Sequence, residues 1–517
     1  MKAELLGGGE TCRLVCCAGD RRFYRMSRMA MKNANQRMPQ MPNADNRTQL
    51  GVEAGRQTQR AATIIAGLAS FLAPFMGSSI NIALPTIGRQ FHADAVTLSW
   101  VATGYLLAAA VFLVPFGRLA DIIGRKKIFV SGIIIYSLST VLSAAAPSMA
   151  ALIAFRAIEG TGAAMIFGTG IAILTSVYPP GERGRALGIN TAATYFGLSL
   201  GPIFGGFLIH NFGWRSIFLV NIPFCILIVY LVTRRLHGEW AEAAGEKFDL
   251  SGALFYGLAL VGVMLGFSRL PRPPGIGLLG GGIVLAGAFA FRENRTPSPV
   301  LDLGLFRTNR VFAFSNLAAL INYMATFAVG FFLSLYLQYI VGLNAQQAGL
   351  VLIAQPAVMA LFSPVAGRLS DKIEPRFVAS TGMAFSAAGL FLLSFLHAHR
   401  HLGFVIGCLA ILGFGFAMFS SPNVNAAMGA VAKKHYGVAS AALSTMRLVG
   451  QMFSMGIATM ILALHVGRVQ ITAANRVSFL QAVRTGFLMF AALCVVGIFA
   501  SLARGNREAN GEPGVAA

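Results

Sequence analysis

The sequence predicts an all-α polytopic membrane protein of about 14 transmembrane helices, and three observations carry that reading. Only 12% of its 517 residues are charged against 56% hydrophobic, whereas soluble domains carry roughly 25% charged residues. The apolar residues gather into runs long enough to cross ~30 Å of hydrocarbon, separated by short loops rich in Arg, Lys, Gly and Pro. Each run is apolar on all sides over ~20 residues, which selects a helix, because an open strand in lipid leaves backbone groups unpaired.

In chain order, residues 1–60 are polar and basic, rich in Met, Asn, Gln and Arg, without the apolar core of a cleavable signal peptide. They are expected to be a disordered extension, with Met31, Met38 and Met41 as alternative starts. Six spans follow near 61–83, 97–116, 128–146, 149–177, 186–210 and 216–233, in a first bundle over 61–235. Two more near 250–268 and 275–291 form an insertion over 236–300. The last six, near 311–340, 346–366, 377–397, 402–424, 437–465 and 483–503, fill a second bundle over 301–505, and 506–517 is a tail.

The net charge of +22 is spread among loops rather than gathered in a patch, so nucleic acid is not an expected partner. With the leader placed in the cytoplasm, inner loops hold roughly eighteen Lys and Arg and outer loops roughly eight, which puts both termini inside an inner cell membrane. Cys12, Cys16 and Cys17 lie in the leader, while Cys225, Cys408 and Cys494 lie in apolar runs and read as small apolar fillers. His397, His399 and His401 alternate in an outer loop without a nearby acid, and no metal site is expected.

The chain repeats itself. Gly117-Arg-Leu-Ala-Asp121-Ile-Ile-Gly-Arg125 after the second span returns as Gly367-Arg-Leu-Ser-Asp371-Lys-Ile-Glu-Pro-Arg376 after the tenth. Two copies of one loop imply two related halves around a midplane site, the architecture of secondary transporters. Read from its residues, the loop is either a positive-inside anchor or a hinge with Gly at a helix end whose ion pairs latch the two halves at the inner mouth.

With the motifs at 156–164 (RAIEGTGAA), 197–206 (GLSLGPIFGG), 84–88 (LPTIG), 100–107 (WVATGYLL), 214–223 (WRSIFLVNIP) and 300–313 (VLDLGLFRTNRVFA), the repeated loop resembles the major facilitator superfamily, and within it the fourteen-helix drug:proton antiporters. The resemblance runs from about residue 61 to 503. It implies the major facilitator fold of two six-helix bundles, here with two extra central helices, alternating access and proton-coupled export. Gly197, Gly201, Pro202, Gly205 and Gly206 in the fifth span match the motif that accompanies exporters in that family; taken alone, small residues every fourth position serve close helix packing.

The fourth span places Arg156 about 10 Å deep and Glu159 about 15 Å deep, where a bare charge costs roughly 2.5–3.5 kcal/mol or more. Either the two form a static bridge, or they line the pathway and Glu159 carries the driving proton. The resembled family usually has Gln at the position of Glu159, so the proton role rests on the residue itself. Its drug exporters commonly carry Asp where this chain has Met76, which removes a counter-charge for cations. Asn81, Tyr105 and Arg447 are pathway candidates. Arg447 is the second buried cation, held by a static partner or open to an anion, and Asn81 is a pathway residue or interhelix glue.

No Gly-rich phosphate loop followed by Lys and Ser or Thr exists, so no nucleotide cofactor is expected and a proton gradient supplies the energy. Without HExxH or a nucleophile elbow in a suitable helical context, an enzyme is not expected. The expected partners are a small, lipophilic substrate, protons and membrane lipids, with a periplasmic adaptor left open. The rival readings are uptake on the same fold, and a membrane sensor or lipid-handling protein without vectorial transport.

Overall fold

A computed structural model describes residues 44–179, 182–236, 238–296, 299–300, 304–397, 401–431 and 436–505, without the side chains of 44–56, Arg185, Asp371, Tyr436 and Ala473. The expectations for 1–43 and 506–517, His399, Lys433 and Lys434 lie outside the described residues. By contacts the chain divides into Met1–Arg56, in which 44–56 are helical, and Gln57–Ala517, to which the following description applies.

Fourteen helices long and apolar enough to cross a membrane stand in chain order: α1 Gln57–Gln90, α2 Ala95–Ile123, α3 Arg125–Ala144, α4 Met149–Val177, α5 Ala186–Phe212, α6 Ser216–Arg235, α7 Leu250–Arg269, α8 Pro273–Glu293, α9 Arg310–Ile340, α10 Ala345–Ser370, α11 Pro375–Leu393, α12 Leu402–Gly429, α13 Val438–His465 and α14 Arg476–Leu502. Each expected span is present. The largest boundary differences are extensions beyond the apolar runs: α1 continues to Gln90, α2 continues to Ile123, and α14 begins at Arg476. Gly117 and Asp121 are therefore inside a helix rather than at its end. A Cβ at Gly117 would meet open space, and Gly168 of α4 faces its backbone only at ordinary van der Waals distance. The break comes at Gly124, whose φ of +121° is natural only to glycine.

Local rules account for the other ends. Asp94 caps α2, accepting from the Val96 and Thr97 amides at 3.0 and 2.9 Å, and Asn344 and Gln347 form a reciprocal capping box on α10. Cys225, Cys408 and Cys494 are buried, filling space between helices.

In the first bundle α2, α3 and α4 pack closely, and α1 lies against α5; in the second, α12 packs against α10 and α11, and α9 against α13 and α14. The stripe of the fifth span is the α1–α5 contact. A Cβ at Gly197 would run into the Phe71 carbonyl, and at Gly205 would come 2.7 Å from the Ser79 hydroxyl. Gly201 faces Ser78 in the same way. Gly206 faces the other bundle, 2.7 Å from the Ala345 carbonyl by the same construction.

The inserted helices form a hairpin that meets the core through α7. Its Tyr256 hydroxyl donates to the Ala110 carbonyl of α2 at 3.0 Å, and its Met264 and Phe267 meet Gly456 of α13. Helix α7 thus touches both bundles, while α8 packs on α7 through Gly262, Gly266 and Gly282. At the hairpin's open end Asp249 caps α7 and pairs with Arg292 of α8 at 2.9 Å. Desolvation raises the Asp249 pKa, but the Arg292 guanidinium and hydrogen bonds from Gly252 and Ser251 outweigh it and hold the carboxyl down at about 2.

That carboxyl is depressed below its ordinary value of about 3.9, so its contribution to stability is complete above about pH 4 and is lost as pH falls toward 2. Thermal melting of the purified protein is expected to show Asp249→Asn less stable than wild type near neutrality. The difference shrinks across that acid window; a constant difference at all pH values contradicts the assignment.

Candidate functional site

A cavity of about 310 Å³ lies between the two bundles, walled by α1, α2, α4 and α5 on one side and α9, α10, α12 and α13 on the other. It begins near mid-depth, at Asn81, Tyr105 and Gly330. From there it extends toward the end of the molecule that carries Arg125 and Arg376, reaching Ala66, Asn190 and Ser444 within a few turns of that basic end.

At the opposite end the bundles are joined, and proline chemistry explains one of the seams. Pro85 within α1 has no N–H, so the carbonyl four residues earlier, that of Asn81, lacks its helical donor. The Ser334 hydroxyl of α9 supplies one at 2.6 Å, and Gln338 donates to the Ile82 carbonyl at 3.0 Å. The last turn of α9, Tyr336–Ile340, widens to a π-helix beside these contacts, and Tyr339 donates to the Pro85 carbonyl at 3.3 Å. On a second seam, the Ser99 hydroxyl of α2 lies 2.8 Å from that of Thr459 in α13, and the Ala95 amide donates to Val469. On a third, Gly349 lets α10 close onto the carbonyl of Pro202 in α5.

Of the residues the sequence nominates, Asn81, Tyr105, Arg447 and Pro202 line the cavity. Arg156 and Glu159, for which the sequence left open a static bridge or a place along the pathway, do not: they are 1% and 0% exposed, and Tyr105 stands between them and the open space. The Arg156 guanidinium lies 4.3 Å from the Tyr105 ring centroid, directs its Nε toward the Val101 carbonyl at 3.3 Å, and places Nη1 2.9 Å from Glu159 Oε2. The charges are in contact, but the angle is too poor for a regular hydrogen bond, so neither Glu159 oxygen has one among the described residues. Tyr136 and Thr140 of α3 stand beside the carboxyl. The Thr140 hydroxyl already donates to the Tyr136 carbonyl at 2.7 Å, whereas the buried Tyr136 hydroxyl has no partner among the described residues.

Sequence reasoning missed the amides Asn190, Gln355 and Gln451, which line the cavity from α5, α10 and α13. Their signal was present: a lone amide at depth in an apolar helix is costly unless it faces a cavity or a partner.

The repeated loop takes different forms in its two copies. In the first, Arg125 pairs with Asp121 at 2.8 Å and with Glu242 at 2.8 and 2.9 Å, and donates to Ser176. Glu242 belongs to the stretch between α6 and α7, which also sets Glu246 on Arg118 and Glu239 on the Lys126 amide. These pairs lie within the first half and its adjoining linker. In the second copy Arg376 sits 3.0 Å from Glu374 and over the Phe377 ring. Gly367 faces Ser421 of α12.

Two helical bundles around one central cavity, joined by several seams at one end and with the cavity extending toward the other, define a membrane transporter of the alternating-access architecture. The chain belongs to the Major Facilitator Superfamily, whose family model matches residues 66–317 and 315–516. It is 31% identical over 387 residues to the riboflavin transporter RibZ of Clostridioides difficile, covering 74% of this chain and 84% of that one. It is also 31% identical to the multidrug resistance protein Stp of Mycobacterium tuberculosis (79% and 76% covered) and to the cephamycin export protein CmcT of Amycolatopsis lactamdurans (81% and 88%). A bacterial homologue of the lysosomal transporter Spinster, solved inward-facing and unoccupied, superposes with a TM-score of 0.62 at 18% identity over 87% of this chain and 97% of its own, and so shares the fold.

Removing one partner of a buried pair leaves an uncompensated charge, at a cost of about 3–5 kcal/mol. Arg156→Met is therefore expected to destabilise strongly, and Arg156→Met/Glu159→Gln to recover most of the loss. A thermal-denaturation double-mutant cycle measures this; additive losses would mean that the two side chains do not depend on each other.

Proposed function

We propose that this protein is a secondary active transporter that exports small, mostly lipophilic molecules in exchange for protons. The observation that carries the reading is the cavity itself, with an ion pair one tyrosine behind its wall. The basic end is the cytoplasmic one, as the distribution of Lys and Arg favours, so the described conformation is inward-facing, with both termini inside an inner cell membrane. Residues 61–235 and 301–505 are the rocking halves, and 236–300 is an accessory hairpin.

Coupling runs through Tyr105. Protonation of Glu159 removes the counter-charge of Arg156, which lies on the Tyr105 ring, and Tyr105 faces the substrate. The pair thereby converts a proton into a change in the cavity wall. Asn81 and Arg447 contact substrate; Asp121 and Arg125, held by Glu242, and Gly367, Asp371 and Arg376 set the stiffness of the cytoplasmic end as it opens and closes. The stripe Gly197, Gly201, Pro202, Gly205 and Gly206 keeps α5 close to α1 and α10, and the names of the exporting relatives agree with outward transport.

One observation favours a second reading, uptake with a co-transported proton. Protonating Glu159 frees the positive charge of Arg156, which strengthens the field for an anion in the cavity, so an anionic substrate and a proton would enter together. A relative named as a riboflavin transporter fits either direction.

Purified protein in liposomes with an imposed pH gradient separates these readings. For the exporter, a compound from a lipophilic panel triggers proton movement opposite to its own, and Glu159→Gln lowers that movement at least ~10-fold while the compound still binds. Movement of proton and compound in the same direction establishes uptake. Equal coupling in wild type and Glu159→Gln refutes the proton role of Glu159.

A further inference from the structure

The cavity has one formal charge and nothing to neutralise it. Among its described lining residues Arg447 alone is charged, and no Asp, Glu, Lys or His shares the wall. The half-buried Arg447 has no ion pair or hydrogen bond among the described residues; its guanidinium stands 6.0 Å from the centroid of the Phe167 ring across the gap between the bundles. Where a counter-acid would serve a cationic substrate, α1 carries Met76, buried against Asn221. Glu159 is already paired with Arg156 behind Tyr105.

The rest of the lining is aromatic and amide. Tyr323 and Phe416 meet edge to face at 5.4 Å, Phe327 and Phe167 extend that apolar surface, and Asn81 and Gln355 offer neutral hydrogen bonds. An uncompensated guanidinium in an apolar setting favours a partner that brings negative charge and can accept two parallel hydrogen bonds, which is the geometry of a carboxylate. A cavity of about 310 Å³ suits a compound of drug-like size at the lower end of the usual range.

We infer that the cavity takes amphipathic organic anions: a planar aromatic body among Phe167, Tyr323, Phe327 and Phe416, and a carboxylate or similar anion on Arg447. This names the substrate class of the transporter reading and rests on it only for its use in transport, because binding needs no gradient.

The test uses three probes with one aromatic body: anthracene-9-carboxylate, its carboxamide, and 9-anthracenemethylamine. Their binding is measured on the full chain in phosphatidylcholine nanodiscs, with empty nanodiscs subtracted and no anionic lipid present. Wild type is expected to bind the carboxylate at least ~10-fold more tightly than the amine, a difference of about 1.4 kcal/mol. Arg447→Gln loses that preference, binding carboxylate, carboxamide and amine with similar affinity, and Arg447→Lys keeps part of it. A cooperative thermal melt near that of the wild type shows that each variant is folded. Anionic lipid added back competes with the carboxylate if a lipid headgroup is the natural occupant, and leaves it unaffected if a free organic anion is. A wild type that binds the amine as tightly as the carboxylate, or binds no carboxylate, overturns the inference, as does an Arg447→Gln variant with the wild-type ranking. Failure of proton coupling in liposomes leaves these results untouched.

Discussion

Arg156 and Glu159 face each other 2.9 Å apart in α4, and each is tolerable there only because the other is present. Neither could be taken from water into this interior alone at acceptable cost. Their placement organises the helices around them. Val101 turns its carbonyl toward the guanidinium, Tyr105 lays its ring against it, and Gly160 lets α2 approach α4 closely enough for both. The pair has imperfect hydrogen-bond geometry and a neighbouring Tyr136 hydroxyl without a partner among the described residues. It is thus held by charge more than by directional bonds, so a single proton changes its energy substantially.

The seams at the far end obey the same constraint, that backbone polar groups in a membrane need partners. Pro85 creates an unpaired carbonyl in one half, and Ser334 in the other half satisfies it. A bond of that kind is reversible in a way that packed leucines are not, because either half can exchange its partner for water when the end opens. The basic end shows a different solution. Asp121, Arg125 and Glu242 form an ion-pair cluster within one half and its linker, while the Tyr195 and Ser420 hydroxyls, 3.0 Å apart, link α5 to α12 on the cavity's basic side.

All fourteen helices were legible in the sequence because apolar length dominates every other signal in a membrane chain. Their ends were less legible where polar residues continue a helix, as at Arg476 and between Gly117 and Ile123. The site was legible in part. Asn81, Tyr105 and Arg447 are polar residues at mid-depth, and depth alone puts them near the cavity. The position of Tyr105 in front of Arg156 was not legible, since it depends on how α2 and α4 are rotated against each other. The anchoring of Arg125 by Glu242 was likewise out of reach, because the linker that carries Glu242 shows no pattern that assigns it a partner.

The most direct measurement is the distance between spin labels at Arg89 and Leu350, near the far ends of α1 and α10, in a background with the other cysteines replaced. Coupling through Glu159 predicts that the distance distribution of the wild type differs between about pH 5 and about pH 8, and that Glu159→Gln shows one distribution at both. A Glu159→Gln protein that still responds to pH as the wild type does would contradict the coupling mechanism.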